Sequence, residues 1–153
     1  MTQLQFREAV AADLPAIVAM LADDRLGADR EDASSPLAAG YIAAFEAIAG
    51  DANQHLIVAV DGEQVVGTLQ LSFLPGLSSK GAWRGQIEAV RIVANRRGEG
   101  LGEQLIRWAI EACRRRGCAT VQLTTDNRRA DAHRFYERLG FKASHRGYKY
   151  PLP

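Results

Sequence analysis

The chain has 153 residues, 47% of them hydrophobic and 24% charged, with a formal net charge of +1. That length suits one domain, residues 1–153, with a core that buries roughly 68–70% of the unfolded chain's surface. The charge balance gives no footprint for bulk nucleic-acid or membrane binding, and two cysteines and three histidines without CxxC or HxxxH spacing indicate neither a metal site nor a disulfide framework.

Met1–Leu4 has no charged-then-apolar leader, and no stretch is long enough to span a bilayer. A cytoplasmic protein with Cys113 and Cys118 as reduced thiols is expected. Leu4–Arg7 alternates and predicts a first strand. Asp13-Leu14-Pro15 predicts a helix start, with the acid capping free N–H groups and Ile17, Met20 and Leu21 as the apolar stripe. Gly27–Ser35 reads as a polar loop, and Ser35-Pro36 as the start of a second helix carrying Leu37, Tyr41, Ile42, Phe45 and Ile48.

The period then changes. His55–Val60 and Gln64–Phe73 read as strands of a hairpin turned at Asp61-Gly62, where both turn residues would take positive φ. After a looser stretch, Leu77–Gly85, a strand is predicted over Gln86–Val93. Gly100–Arg116 is an amphipathic helix ended by Gly117. Ala119–Thr125 reads as a strand, Arg129–Leu139 as a helix, and Phe141 onward as one or two short strands. The order β-α-α-β-β-β-α-β-α-β, a meander followed by a βαβ crossover, predicts an α/β (α+β) fold with a mixed, largely antiparallel sheet and flanking helices.

The richest chemical signal is Arg96-Arg97-Gly98-Glu99-Gly100-Leu101-Gly102, between a strand and an amphipathic helix. Glycines allow a tight turn and close backbone approach, while the helix start offers free N–H groups and the positive end of its dipole, a cradle for pyrophosphate. Arg97 would add a charge-assisted contact. Glu103 and Gln104 stand where a Walker loop or a dinucleotide fingerprint needs other residues, so neither motif fits. The motif alone also fits a glycine-rich helix start that binds nothing.

Arg97-x-x-Gly100-x-Gly102 after Val90-Arg91-Ile92 resembles the acyl-CoA motif of the GCN5-related N-acetyltransferases (GNAT). Phe6-Arg7-Glu8-Ala9 with Asp13, the hairpin with Gly67, and Phe135–Phe141 are similar to that family's opening, second and third strands and closing motif. The resemblance implies an acetyl-CoA-dependent N-acetyltransferase that works by direct attack of a primary amine in a ternary complex. It implies that the backbone of Val90, Arg91 and Ile92 pairs with the pantetheine arm at a bulge. The loop Arg97, Gly98, Glu99, Gly100, Leu101 and Gly102 would hold the pyrophosphate. Tyr136 matches the tyrosine that protonates the departing thiolate.

Glu88 is the candidate base for the amine proton. It has the same strand parity as Val90 and Ile92, and an acid in the apolar run Ile87–Val93 needs an explanation. His133 is the rival, one short turn before Tyr136. Arg129 stands where the family often has an asparagine, with Asn127 two residues earlier as the substitute cofactor contact. The family's proline before the glycine loop is replaced by Ala94.

The acceptor pocket would involve Asp23–Ser35 and Leu77–Gly85, with Trp83 and Arg84 at its mouth. The acids Asp23, Asp24, Asp29, Glu31 and Asp32 would attract a cationic amine, unless they are only a solvated loop. A small-molecule amine is favoured over a protein or peptide amine. The alternatives are a non-catalytic acyl-CoA-binding regulatory module and, against the charge balance, a nucleic-acid protein using Arg114–Arg116 and Arg128-Arg129. No residue pattern fixes a homodimer, although exposed strands or helices leave room for one.

Overall fold

The computed structural model describes residues 3–153. β1 (Gln5–Glu8), β2 (Gln54–Asp61) and β3 (Gln64–Leu74) form an antiparallel meander. β4 (Arg84–Ile92) adds antiparallel to β3, and β5 (Thr120–Leu123) lies parallel to β4, giving the order β1-β2-β3-β4-β5. This is the mixed sheet with flanking helices that the periodicities predict. The strands expected after Phe141 are not formed. Among the described residues, that segment makes no ladder hydrogen bonds, and a period-2 pattern that joins no ladder is not a strand.

The sheet separates two apolar layers. On one face α4 (Leu101–Arg116) places Leu105, Ile106 and Ala109, all fully buried, against Ile57, Leu69, Leu71 and Ile87. Burying a Leu or Ile this completely contributes about 1.5–3 kcal/mol, so α4 is a main anchor of the sheet. It packs so close that a Cβ on Gly85 would lie 2.2 Å from Cys113 Sγ. Burial pushes the Cys113 thiol up to about 12, as expected for an inert core thiol. Gly117, at φ +84, ends α4 in the left-handed conformation that frees the last turn to close. On the other face α1 (Leu14–Ala22) sets Leu14, Ile17 and Met20 against Val58 and Val60. α2 (Ala39–Ala49) adds Phe45, half-buried, to the same layer.

Local details depart from expectation. Asp13 does not cap α1. Its carboxylate accepts from Val10 N (2.8 Å) and from both Arg7 amino groups (2.7 and 3.1 Å), because an opposite charge outbids the helix N–H groups for a buried acid. α2 begins at Ala39 rather than at Ser35-Pro36. In the hairpin, Asp61 pairs with Gln64, so the two-residue turn is Gly62-Glu63. Only Gly62 has positive φ (+64), the pattern of a turn that needs glycine in its first central place. The Leu77–Gly85 stretch holds a single turn, α3 (Ser78–Gly81), with Ser79 and Lys80 at φ 54 and 61. The last helix, α5 (Ala130–Arg138), packs Phe135 and Tyr136 against the α4 layer. Among the described residues no helix is long and apolar enough to cross a membrane.

Candidate active site

The site begins with a fault in the β3–β4 ladder. Thr68 pairs with Arg91 and Gln70 with Glu88, so Ala89 and Val90 together stand opposite Leu69. Ala89 takes φ +54, the left-handed value that absorbs one extra residue. An inserted residue resets the alternation of faces. Ile87 is buried under α4, which turns Glu88 to the opposite face, where it is exposed. Past the bulge Val90 and Ile92 pack toward α4, while Arg91 reaches the α1 side. The expectation that Glu88 shares a face with Val90 and Ile92 is therefore corrected: the bulge groups Glu88 with Arg91.

β5 leaves β4 at the same place. Their pairing runs only from Arg84↔Thr120 to Ile87↔Leu123, whereas β4 continues to Ile92. Backbone groups along residues 88–92 on that edge have no ladder partner among the described residues, and such groups demand one. A cleft of about 550 Å³ opens there. Val90, Arg91 and Ile92 form its floor, Gly102, Phe135 and Tyr136 one wall, and Asp23–Arg25 with Arg129 the other.

At one end of the cleft lies the glycine loop. Gly98 (φ +82) and Gly100 (φ +79) both need the freedom of glycine, and a Cβ on either would meet nothing within 4 Å. Gly100 precedes α4 without any side-chain cap, so the helix presents free N–H groups at its positive end. Arg97 lines the cleft and donates to Ile92 O (3.3 Å) and Asp23 O (3.1 Å), while Arg96 is spent on Glu99 and Asp61, each at 2.9 Å. The side chain of Glu99 thus serves the loop's own shape, leaving its backbone for a ligand. An open strand edge, unobstructed glycines and an uncapped helix start suit the pantetheine arm and pyrophosphate of a coenzyme A donor.

Across the cleft, Asp24 accepts from Arg129 Nη1 at 3.0 Å and lies 3.4 Å from Arg91 Nη2. Arg91 also donates to Val90 O at 2.9 Å, and its Nε is buried without a partner. The Arg129 hydrogen bond holds the Asp24 carboxyl below the usual carboxylate range against the opposing effect of burial. Arg25, Arg91, Arg97 and Arg129 outnumber Asp23 and Asp24 in the lining, so the acidic pull expected from this loop is reversed locally.

Tyr136 lies beside these arginines, its ring 5.1 Å from Phe135 and 5.8 Å from Phe141. Burial raises its phenol above the ordinary value, and the charges of Arg91 and Arg129 oppose that rise. Tyr136, Val90, Arg91, Ile92, Arg97 and Gly102 are thus brought together. Glu88 and Asn127 are exposed and do not line this cleft. His133 lies outside it too, with Nε2 3.0 Å from Asp126 O, which makes that nitrogen the N–H donor. Trp83 packs toward the core, with the Arg116 guanidinium 5.7 Å from its ring centroid.

Sequence reasoning missed Asp24 and Arg129 as one unit, 105 residues apart. The replacement of the family's asparagine by Arg129 was the one available signal. It also missed the polar sheet face around Glu88. There Ser72 Oγ donates to Gln54 Oε1 (2.7 Å), Gln122 Nε2 donates to Gln86 Oε1 (2.6 Å), and Gln70 pairs with Glu88. Among the described residues no cluster of three His, Cys, Asp or Glu side chains could hold a metal ion.

Comparison with known proteins agrees with this geometry. The chain is 51% identical, over 98% of its length and 100% of the other's, to a Bacillus halodurans C-125 protein described as a transcriptional regulator, with a TM-score of 0.95. An acetyltransferase of Trypanosoma brucei matches at 28% identity over 98% of this chain and 100% of that one, with a TM-score of 0.77. The aminoalkylphosphonate N-acetyltransferase of Salmonella typhimurium is 38% identical over 95 residues, 62% of this chain. That match spans 61% of the relative's own length. The model of the acetyltransferase (GNAT) family matches residues 17–141, which takes in the bulged strand, the glycine loop and the tyrosine helix, and the chain belongs to that family.

Proposed function

We propose that this protein transfers an acetyl group from acetyl-CoA to a primary amine of a small molecule, by direct attack within a ternary complex. The observation that carries the reading is the open edge of β4 over residues 88–92, in a cleft that Arg97 and Gly102 of the glycine loop and Tyr136 all line. The backbone of Val90, Arg91 and Ile92 would hold the pantetheine arm, and Arg97–Gly102 the pyrophosphate.

In the chemical step the amine nitrogen bonds to the thioester carbonyl carbon and the carbon–sulfur bond breaks. Glu88 takes the amine proton, directly or through a water, from the polar face of the sheet. Tyr136 gives its phenolic proton to the departing sulfur, and its raised pKa keeps that proton available at neutral pH. The arginine surplus in the lining, together with a relative named for aminoalkylphosphonates, supports an acceptor that pairs its amine with an anionic group. A cytoplasmic setting belongs to the same reading, since the donor is an intracellular thioester.

The test is thiol release from acetyl-CoA against aminoalkylphosphonates, amino acids, polyamines, aminosugars and short peptides, with Tyr136→Phe and Glu88→Gln in parallel. Amine-dependent release that falls in both variants supports both roles, and failure to bind acetyl-CoA at all sinks the reading. One observation favours a second reading, a module that holds acyl-CoA without turnover: the 51% identical protein is described as a transcriptional regulator. Tight acetyl-CoA binding with no release for any acceptor would support it.

A further inference from the structure

The bulge in β4 changes which charges stand side by side. Glu88 pairs with Gln70 and Arg91 with Thr68, and only Leu69 separates those two β3 residues. Paired residues of a ladder share a face, so Glu88 and Arg91 are neighbours on the face turned away from α4, spaced as i and i+2. Two residues of extended chain cover about 7 Å. In a regular strand, residues three apart point to opposite faces. The inserted residue therefore brings a carboxylate and a guanidinium to adjacent places beside the open edge of β4.

These two charges do not neutralise each other. Glu88 is exposed, and its neighbours on this face, Gln70, Gln86 and Gln122, are uncharged. Arg91 turns to the cleft that it lines, where its side chain is 14% exposed. It donates to Val90 O at 2.9 Å, but its contact with Asp24 is long, at 3.4 Å. Asp24 already serves Arg129 with both carboxylate oxygens, so two guanidinium groups share one carboxylate. A guanidinium has five N–H donors, and Nε of Arg91 is buried with no acceptor. A half-served guanidinium out of water calls for an anion. Arg97 is engaged by Ile92 O and Asp23 O, and of the arginines that line the cleft Arg91 alone lies on the strand of Glu88.

We infer that Glu88 and Arg91 together read a short zwitterionic acceptor, with its amine at Glu88 and a phosphonate or carboxylate group on Arg91. This rests on the transferase reading above and narrows its acceptor. The spacing sets the length. Ends held over positions about 7 Å apart are spanned by four or five bonds of roughly 1.5 Å each, which places two or three carbons between amine and anion. A longer chain has to loop, and a neutral amine leaves the buried charge of Arg91 unserved. The acetyl transfer itself is unchanged: the nitrogen–carbon bond forms, the carbon–sulfur bond breaks, and the amine proton goes to Glu88. Because the anion is fixed one same-face position from the base, Arg91 aims the nitrogen as well as selecting the substrate.

Steady-state acetylation of aminoethylphosphonate, β-alanine, propylamine and aminooctanoate by the wild-type protein tests this. One of the two short zwitterions should exceed propylamine and aminooctanoate in kcat/KM by about 10–100-fold, the worth of a charged hydrogen bond. Which of the two leads identifies the anion. Arg91→Gln should bring that preference to near unity by raising the KM of the zwitterion, and Arg91→Lys should restore part of it. Equal use of propylamine, or a preference that survives Arg91→Gln, overturns the inference and leaves the transferase standing. A rise in the KM of acetyl-CoA in place of that of the acceptor would assign Arg91 to the donor and overturn it as well. The wild-type series decides even where the variant does not fold. Calorimetry with coenzyme A bound separates the two readings where turnover is absent. A short zwitterion held at least ~10-fold more tightly than propylamine keeps the site and sinks the transferase, whereas equal or absent binding sinks the site.

Discussion

Asp24, just past the end of α1, receives the guanidinium of Arg129 at the start of α5, with Arg91 of β4 on its other side. This ion pair ties two segments distant in sequence into one wall of the cleft beside the bulged strand. It compensates one of two closely spaced guanidinium groups, and burial of Arg91 lowers its pKa from the ordinary arginine value against the pull of Asp24. The pair therefore holds that wall in place and sets part of the field at Tyr136.

Replacing Asp24 by Asn should cost about 1.5–3 kcal/mol, the range for hydrogen bonds to charged groups, because Arg91 and Arg129 then face each other without a carboxylate. For a chain of this size each kcal/mol lowers the melting temperature by roughly 2–4 °C. The Michaelis constant for acetyl-CoA should rise as the wall loosens. An unchanged melting temperature and Michaelis constant would show that the pair is only a surface contact.

Acid should destabilise the protein through Asp13 and Asp24. The Arg7 hydrogen bond lowers the pKa of Asp13 and the Arg129 hydrogen bond lowers that of Asp24. Between the folded and unfolded pKa values the unfolded chain binds more protons, so the contribution is complete above the ordinary value of 3.8 and is lost as pH falls through the depressed ones. Denaturant melts between pH 2 and 6 should show a steep loss below about 4. Asp13→Asn should be less stable at neutral pH and flatter in that window.

Gly85 and Cys113 should behave as a coupled pair. Gly85→Ala drives a methyl group onto the Cys113 sulfur, and overpacking of this kind costs typically 1–3 kcal/mol. Cys113→Ala vacates that space, so the double variant should recover part of the loss, by at least about 0.5 kcal/mol in a double-mutant cycle. Strict additivity of the two changes would contradict the packing described.

The alkaline limb of the rate profile should follow Tyr136. Burial puts its pKa above 10.0, so a rate that needs the phenolic proton should persist past that pH. Arg91 and Arg129 oppose the rise, so Arg129→Gln should move the limb further up. Tyr136→Phe should lower turnover by about 10²-fold or more while leaving acetyl-CoA affinity nearly unchanged. A limb well below 10 would assign the acid elsewhere.

The sequence by itself determined the parts set by local rules. Periodicity placed α1, α2, α4, α5 and all five strands within a few residues, because a helix face or strand face must bury its own apolar row. The positive-φ glycines Gly98 and Gly100 and the uncapped start of α4 were legible as a candidate ligand loop, because backbone freedom and dipole direction are local properties. The tertiary structure decided what depends on pairing. The bulge at Ala89 reversed the face of Glu88, and no single-chain pattern reveals a residue inserted against a partner strand. Asp24 met Arg129 only because α1 and α5 flank the same opening, and that contact turned an acidic loop into one wall of a cationic cleft. The segment after Phe141 reads as one or two short strands, but in this fold it joins no ladder. A strand exists only where another edge satisfies its hydrogen bonds, and such pairing is decided by the tertiary structure, not by the pattern of one segment.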